Sequence, residues 1–155
     1  MPIVFNQSAP DFSLLDEHGK KHSLKDYRGK FVLLYFYPKD MTPGCTTEAC
    51  TFRDRLNALQ ASNIQILGVS ADSVESHLKF WKKEKLNFPL LSDPEHRIID
   101  AYDVWKEKSM YGRTFMGVSR ESFLIDPQGK IVKHYAKVAP ATHADEVLED
   151  VKLFQ

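Results

Sequence analysis

The segment that most constrains the fold is a run of seven apolar and aromatic residues at positions 31–37, Phe-Val-Leu-Leu-Tyr-Phe-Tyr. A strand with one face in water alternates apolar and polar residues, and this run does not. It therefore predicts a central strand that is covered on both faces of a sheet. A chain of 155 residues with 43% hydrophobic content can bury one such core and is too short for two ordinary domains. We expect a single domain over residues 1–155.

Alternating strands and helices are predicted along the rest of the chain. Six further strands are expected at residues 12–15, 21–24, 64–70, 88–92, 121–126 and 131–135. Helices are expected at residues 45–59, from 72 to about 85, and from about 143. This order favours an α/β, thioredoxin-like fold with a central mixed sheet flanked by helices and an N-terminal β-hairpin. Residues 104–119 lack clear periodicity and are expected to form a long connection, functional or partly mobile.

The only two cysteines of the chain, Cys45 and Cys50, stand at the start of the helix that follows the apolar strand. Thr42 and Pro43 suit the N-cap and the first helical position, so Cys45 would come third, with its N–H in reach of the Thr42 oxygen. The helix dipole and unpaired N–H groups there favour a thiolate over a thiol. Cys45 is therefore a candidate nucleophile, and Cys50 could capture whatever Cys45 becomes.

Composition and charge exclude several functions. Lys plus Arg equals Asp plus Glu at 21 each, so we expect no nucleic-acid partner and no anionic membrane surface. The N-terminus lacks a signal-peptide pattern and no segment is long enough to span a membrane, which predicts a soluble, cytoplasmic protein. The six histidines show no ligand spacing near the cysteines, so we expect neither a metal nor a cofactor.

The residues around the cysteines resemble those of a known family. Pro38, Thr42 and Cys45 match the P-x-x-x-T-x-x-C signature of peroxiredoxins. Cys50, at the fifth position after the nucleophile, is similar to the arrangement of the PrxQ, or bacterioferritin comigratory protein, subfamily. The resemblance covers nearly the whole chain. It implies a thioredoxin-dependent thiol peroxidase that reduces hydrogen peroxide and organic hydroperoxides in antioxidant defence.

A second, distant block supports the same resemblance. Residues 105–126 are similar to the later block of the subfamily, in which an arginine beside a Phe-Leu-Ile-Asp strand completes the active site. Here that arginine is Arg120, which would favour the thiolate and hold the peroxide oxygens. By the same resemblance Glu48, which taken alone would oppose a thiolate one turn away, pairs with Arg120 instead.

The other candidate site residues follow from the chemistry that the resemblance implies. Thr42 would supply a hydroxyl, and the backbone N–H groups of Gly44 and Cys45 would donate to the departing oxygen. Pro38 lacks an N–H and would shield the sulfur from water. Cys45 would become a sulfenic acid, and Cys50 would resolve it as an intramolecular disulfide. Thioredoxin or a glutaredoxin-type dithiol protein would then reduce that disulfide.

The predicted disulfide meets a geometric obstacle. In an unbroken helix, residues five apart are rotated by about 140° and their Cα atoms are roughly 8 to 9 Å apart, beyond the reach of about 7 Å for a disulfide. We therefore hypothesise that the first turns of the helix unwind for Cys45 and Cys50 to join.

Other interpretations stay open from the residues alone. Cys45 fits a buried core position, Cys50 an idle surface thiol, and Arg120 a surface ion pair. A dithiol oxidoreductase would normally use C-x-x-C, and four residues separate these cysteines. A redox-responsive binding or chaperone module could use the same unwinding. Proteins that resemble this subfamily favour a monomer, with a weak dimer as the alternative.

Overall fold

The computed structural model describes residues 7–155, so the first six residues of the expected domain lie outside it. The strands are β1 (Ser13–Leu15), β2 (Lys21–Ser23), β3 (Phe31–Phe36), β4 (Ile64–Ser70), β5 (Leu90–Ser92), β6 (Trp105–Met110), β7 (Arg113–Val118), β8 (Glu121–Ile125) and β9 (Ile131–Tyr135). The helices are α1 (Pro43–Asp54), α2 (Leu56–Ala61), α3 (Val74–Lys83), α4 (Arg97–Ala101) and α5 (His143–Val151), and a 3₁₀ helix covers Leu24–Tyr27. None of the helices in this part of the chain is long and apolar enough to cross a membrane.

Seven strands form one mixed sheet in the order β2-β1-β5-β4-β3-β8-β9. β3 is parallel to β4 and antiparallel to β8, and β4 is parallel to β5. The N-terminal hairpin β1–β2 joins the sheet through a single pairing, Leu15 with Ser92. The expected central mixed sheet flanked by helices, with its N-terminal hairpin, is confirmed.

β3 is buried along its whole length, as its sequence predicted. Its alternate residues enter two separate cores, because successive side chains of a strand point to opposite faces. Leu33 and Tyr35 pack with α1, α3 and α5 in one core, and Leu34 and Phe36 pack with α4 in the other. A strand that serves two cores has no position for a polar residue.

The predicted apolar stripe of the first helix is confirmed, with a break. Cys45, Ala49 and Phe52 are buried in α1, and Leu56 and Leu59 are buried in α2. The two helices meet at Arg55, whose carbonyl still accepts from the Leu59 N–H at 3.0 Å. The stripe therefore continues across the break and seats both helices on the sheet.

The expectation of an irregular connection at residues 104–119 is wrong. β6 and β7 form an antiparallel hairpin with six paired positions. Its turn residues Tyr111 and Gly112 have φ of 53° and 76°, which gives the tight turn that matches the twist of two strands. Most side chains of both strands are exposed, so no alternation between apolar and polar residues marks them in the sequence.

Candidate active site

The predicted nucleophile lies at the N-terminal end of α1, just beyond the carboxyl end of β3. Thr42 is the N-cap and Cys45 is the third helical residue, with 2% of its surface exposed. The first intrahelical hydrogen bond runs from the Thr46 N–H to the Thr42 carbonyl at 2.9 Å. The N–H groups of Gly44 and Cys45 precede it and have no helical acceptor, so they are available beside the sulfur.

Arg120 reaches this helix end from the link between β7 and β8. Its Nη2 lies 3.3 Å from Cys45 Sγ, and its Nη1 donates to Glu48 Oε1 at 2.8 Å. The same guanidinium therefore contacts a sulfur and a carboxylate that are one helical turn apart. Gly44 allows this approach, because a Cβ at that position would lie 3.0 Å from Arg120 Nη2.

Glu48 is a buried acid one helical turn from the sulfur, and its pKa is raised. Its side chain is 0% exposed, and burial raises its pKa to about 7 although the Arg120 guanidinium opposes that shift. Its second oxygen, Oε2, has no hydrogen-bond partner among the described residues, and neither has the buried hydroxyl of Tyr35. Loss of water around the carboxyl thus outweighs the ion pair, and Glu48 exchanges a proton near neutral pH.

We expect Glu48→Gln to flatten the pH dependence of stability. The folded pKa of about 7 lies above the ordinary value of 4.5, so the burial of Glu48 favours the folded state below about pH 4.5 and opposes it increasingly up to about pH 7. The gap corresponds to roughly 3 kcal/mol for this buried group. Urea unfolding of both reduced proteins between about pH 5 and about pH 8 measures the effect.

Glu149→Gln is the matched control, since the Glu149 side chain is 75% exposed. It should leave the pH profile of unfolding unchanged. If Glu48→Gln and the wild type gave parallel profiles, the raised pKa of Glu48 would be wrong.

Thr42 lies where the sequence placed it, but its hydroxyl is used differently. It makes no capping bond to the helix and instead donates to the Lys39 carbonyl at 2.8 Å, so the expected bond from the Cys45 N–H is wrong. The neighbouring N–H groups stay open as a result. The Thr42 oxygen keeps its lone pairs for an incoming donor. Pro38 is partly buried and lies two residues after the end of β3.

Cys50 lies in the same unbroken helix as Cys45, and both thiols are free. It is partly buried, and its Sγ lies 3.6 Å from Glu84 Oε1 at the end of α3. Burial raises the pKa of Cys50, while nearby Arg53 lowers it and the contact with Glu84 raises it further. In this form of the protein, Cys50 is held as a thiol away from Cys45.

Two features near the site have no signal in the sequence. Lys108 of β6 is a second cation near the site. Burial lowers its pKa, and the charge of Arg120 lowers it further. Asp40 and His77 form a buried pair behind the segment that precedes α1. Both depend on contacts between distant parts of the chain, which periodicity does not reveal.

Asp40, Asp72 and His77 also form the only group of potential metal ligands in the described part of the chain, with ligand atoms within 4.8 Å of one another. Each of these atoms already has a hydrogen-bond partner. His77 Nδ1 lies 2.7 Å from Asp40 Oδ2, and Asp72 Oδ2 accepts from the Ser70 hydroxyl at 2.7 Å and from the Asp40 N–H at 2.9 Å. The cluster is satisfied by its own hydrogen bonds, and no cysteine belongs to it.

Comparison with known proteins identifies the class that this fold and site define. The sequence profile of the AhpC/TSA family matches residues 5–134. Peroxiredoxin Bcp of Bacillus subtilis is 49% identical over 152 residues, which cover 98% of this chain and 97% of that protein. Peroxiredoxin Bcp of Escherichia coli K12 is 44% identical over 151 residues, 97% of each chain.

Solved structures give the same result. A cysteine-to-serine mutant of PrxQ from Xylella fastidiosa superimposes with a TM-score of 0.92 at 36% identity, covering 99% of this chain and 98% of that one. The bacterioferritin comigratory protein of Xanthomonas campestris, whose structure was studied for alkyl peroxide reduction, gives a TM-score of 0.87 at 42% identity over 92% and 91% of the two chains.

The chain belongs to the AhpC/TSA family and, within it, to the peroxiredoxins of the PrxQ, or Bcp, type. It is a thiol peroxidase with a thioredoxin-like fold.

Proposed function

We propose that Cys45 is the peroxidatic nucleophile and Cys50 the resolving thiol of this peroxidase, which acts on hydrogen peroxide and organic hydroperoxides. The observation that carries the proposal is the position of Arg120, 3.3 Å from Cys45 Sγ and held at its other end by Glu48. A guanidinium keeps its charge at any ordinary pH, so it attracts a thiolate and the oxygen of a bound peroxide alike.

In the first step, the Cys45 thiolate attacks one oxygen of ROOH and the O–O bond breaks. The second oxygen leaves as RO⁻ and takes a proton to become an alcohol or water, and Cys45 becomes a sulfenic acid. Arg120 and the N–H groups of Gly44 and Cys45 stabilise the charge that develops. The Thr42 hydroxyl already donates its hydrogen bond to the Lys39 carbonyl, so its oxygen accepts a hydrogen bond from the peroxide.

In the second step, the Cys50 sulfur attacks the sulfenic sulfur, the S–O bond breaks and water leaves. An external dithiol, from thioredoxin or a glutaredoxin-type protein, then reduces the disulfide and becomes oxidised itself. The two cysteines share one helix in the reduced form, so the turns between them must unwind before the bond forms. Pro38 would shield the sulfur from water between cycles.

One chain supplies every group of the two steps that lead to the disulfide, which supports a monomer as the working form and residues 1–155 as one domain. Cys45, Glu48 and Cys50 lie on α1, and Arg120 precedes β8 of the same sheet. The cycle returns both cysteines to the thiol form, which suits the cytoplasm because its reductants keep thiols reduced.

Intact mass after one addition of hydrogen peroxide tests the two cysteine roles. We expect the wild type to lose two hydrogens as the disulfide forms and to regain them on addition of thioredoxin. Cys50→Ser is expected to gain oxygen on Cys45 instead, because no second thiol is left to resolve the sulfenic acid. A Cys50→Ser protein that still lost two hydrogens, or a wild type that gained only oxygen, would refute the resolving role of Cys50.

A further inference from the structure

Asp40 and His77 form a buried pair behind the segment that leads into α1. Both side chains are 0% exposed, and His77 Nδ1 lies 2.7 Å from Asp40 Oδ2. The other ring nitrogen, Nε2, lies 2.9 Å from the carbonyl oxygen of Leu91 in β5. A carbonyl oxygen only accepts, so Nε2 donates a proton to it. The imidazole therefore links the carboxyl group of Asp40 to β5 through its two ring nitrogens.

Asp40 makes three further hydrogen bonds, two as acceptor and one as donor. The Tyr37 hydroxyl, beyond the end of β3, donates to Oδ1 at 2.6 Å, and the Ser76 hydroxyl of α3 donates to Oδ2 at 2.8 Å. The Asp40 N–H donates to Asp72 Oδ2 at 2.9 Å. Asp40 thus anchors the chain between β3 and α1 to α3 and to the residues after β4.

This anchored segment carries two of the candidate site residues. Asp40 lies two positions after Pro38 and two before Thr42. Lys39, its immediate neighbour, presents the carbonyl that orients the Thr42 hydroxyl at 2.8 Å. A shift of Asp40 would therefore move both the Thr42 hydroxyl, which accepts a hydrogen bond from the peroxide in the proposed first step, and the ring of Pro38.

Stability alone does not explain a buried network of this kind. Removing ionisable side chains from water has a cost that their mutual attraction does not reliably recover, and apolar residues of the same volume often give an equally stable core. A fully hydrogen-bonded network does fix one geometry, since each of its bonds is lost if the groups shift. The conformation that this network fixes is that of residues 38–42, because Asp40 lies at the centre of that segment.

We propose that His77 is a positioning residue of the peroxidase, which acts through Asp40 to hold the 38–42 segment against Cys45. The inference rests on the proposed function, because it assigns His77 to the step in which Cys45 attacks the peroxide. The anchor also gives α1 a fixed starting point at Thr42 when the helix refolds after each disulfide cycle.

Two variants of His77 separate its two hydrogen bonds. His77→Asn (the Asn variant) places an amide nitrogen near the position of Nδ1 and keeps the donor to Asp40, whereas His77→Gln (the Gln variant) places one near Nε2 and keeps only the donor to Leu91. Both are made in a Cys50→Ser background, so that Cys45 is the only sulfur that reacts. The first readout is the rate of Cys45 oxidation by hydrogen peroxide, and the second is the rate of its alkylation by iodoacetamide, which needs a thiolate but no oriented peroxide.

We expect the Gln variant to oxidise about 10- to 100-fold more slowly, because a displacement of about 1 Å in a reacting geometry has effects of this size. The Asn variant should stay within about threefold of the background protein, a change that one imperfect hydrogen bond allows. Alkylation should change by less than about threefold in both. Lys79→Gln, an exposed change on the same helix, is the control and should leave both rates unaltered.

Equal losses in the Asn and Gln variants, or parallel losses in oxidation and alkylation, would overturn the positioning role. If the Gln variant does not fold, Ser76→Ala removes one donor to the same Asp40 oxygen from a partly exposed position and should slow oxidation by about threefold without changing alkylation. An unchanged oxidation rate in that variant would also overturn it. If the parent protein with an intact Cys45 failed to react with peroxide, the proposed function itself would fail.

Discussion

Cys45→Ser is expected to lower the rate of peroxide reduction by a factor on the order of 10⁴ or more. A serine hydroxyl beside Arg120 does not ionise near neutral pH and cannot carry an oxygen as a sulfenic acid, so the first step has no nucleophile. Serine is close in size to cysteine and can accept from the same guanidinium, so the fold should persist. The measurement is peroxide consumption with thioredoxin as the electron donor, at protein concentrations far below that of the peroxide.

Cys50→Ser is the matched control, because it removes the other thiol from the same helix. It should still react once with peroxide at close to the wild-type rate, whereas Cys45→Ser should not react even once. If Cys45→Ser kept more than about one hundredth of the activity, the nucleophile would be Cys50 and the roles of the two cysteines would be exchanged.

Local patterns in the sequence were sufficient to predict the frame of the site. β3 could be recognised because both of its faces are buried, and α1 because Cys45, Ala49 and Phe52 recur with the period of a helix. The strand, the cap and the first helical turn together place Cys45 at a helix N-terminus without any information from the rest of the chain.

The contacts that complete the site depend on residues far apart in the chain. Arg120 is 75 positions from Cys45, and its own neighbourhood in the sequence is that of an ordinary surface arginine, so only the resemblance to a family indicated their proximity. Asp40 and His77 are separated by 37 positions and fit ordinary polar positions when each is considered alone. Tertiary packing, which no periodicity encodes, creates both pairs.

The exposed hairpin illustrates a different limit. β6 and β7 pair over six positions, yet most of their side chains face solvent, so the apolar alternation that marks a strand is missing. Only the turn at Tyr111 and Gly112 left a local signal. A strand pair that buries little is specified by its turn and by backbone hydrogen bonds, and the hydrogen bonds depend weakly on residue type.

The proposed cycle divides the region around Cys45 into a fixed part and a part that changes. The 38–42 segment is tied to α3 through Asp40, whereas the helix that follows has to open between Cys45 and Cys50. The contact of Cys50 with Glu84 opposes that opening in the reduced protein. Attack on the peroxide uses the folded helix, with its free N–H groups, and resolution uses the unwound one, so the two steps compete for the same residues.

Arg120→Met should lower the rate of Cys45 oxidation by about 10²- to 10³-fold, the effect of removing one donor from a site that stabilises developing charge. Arg120→Lys should lose less, yet stay well below the wild type. A single ammonium keeps the charge but cannot contact Glu48 and the sulfur through two separate nitrogens, as the guanidinium does at 2.8 and 3.3 Å. Stopped-flow oxidation of the Cys50→Ser background by hydrogen peroxide measures both rates.

The same substitution makes a prediction about stability, because it leaves the Glu48 carboxyl buried without its cation. With Arg120 in place the pKa of Glu48 is already about 7, and the loss of the guanidinium raises it further. Glu48 then stays neutral in the folded Arg120→Met protein while it ionises in the unfolded chain, so stability falls as pH rises over a range that extends beyond that of the wild type. We expect a small loss of stability at about pH 6 and a larger one at about pH 8 in urea unfolding. Adding Glu48→Gln to the Arg120→Met protein should abolish the difference between the two pH values.

The control is Arg113→Met, which removes the same charge from an exposed position of β7 and should alter neither the oxidation rate nor the stability. An Arg120→Met protein that oxidised at the wild-type rate would show that the short distance to Cys45 has no part in the reaction.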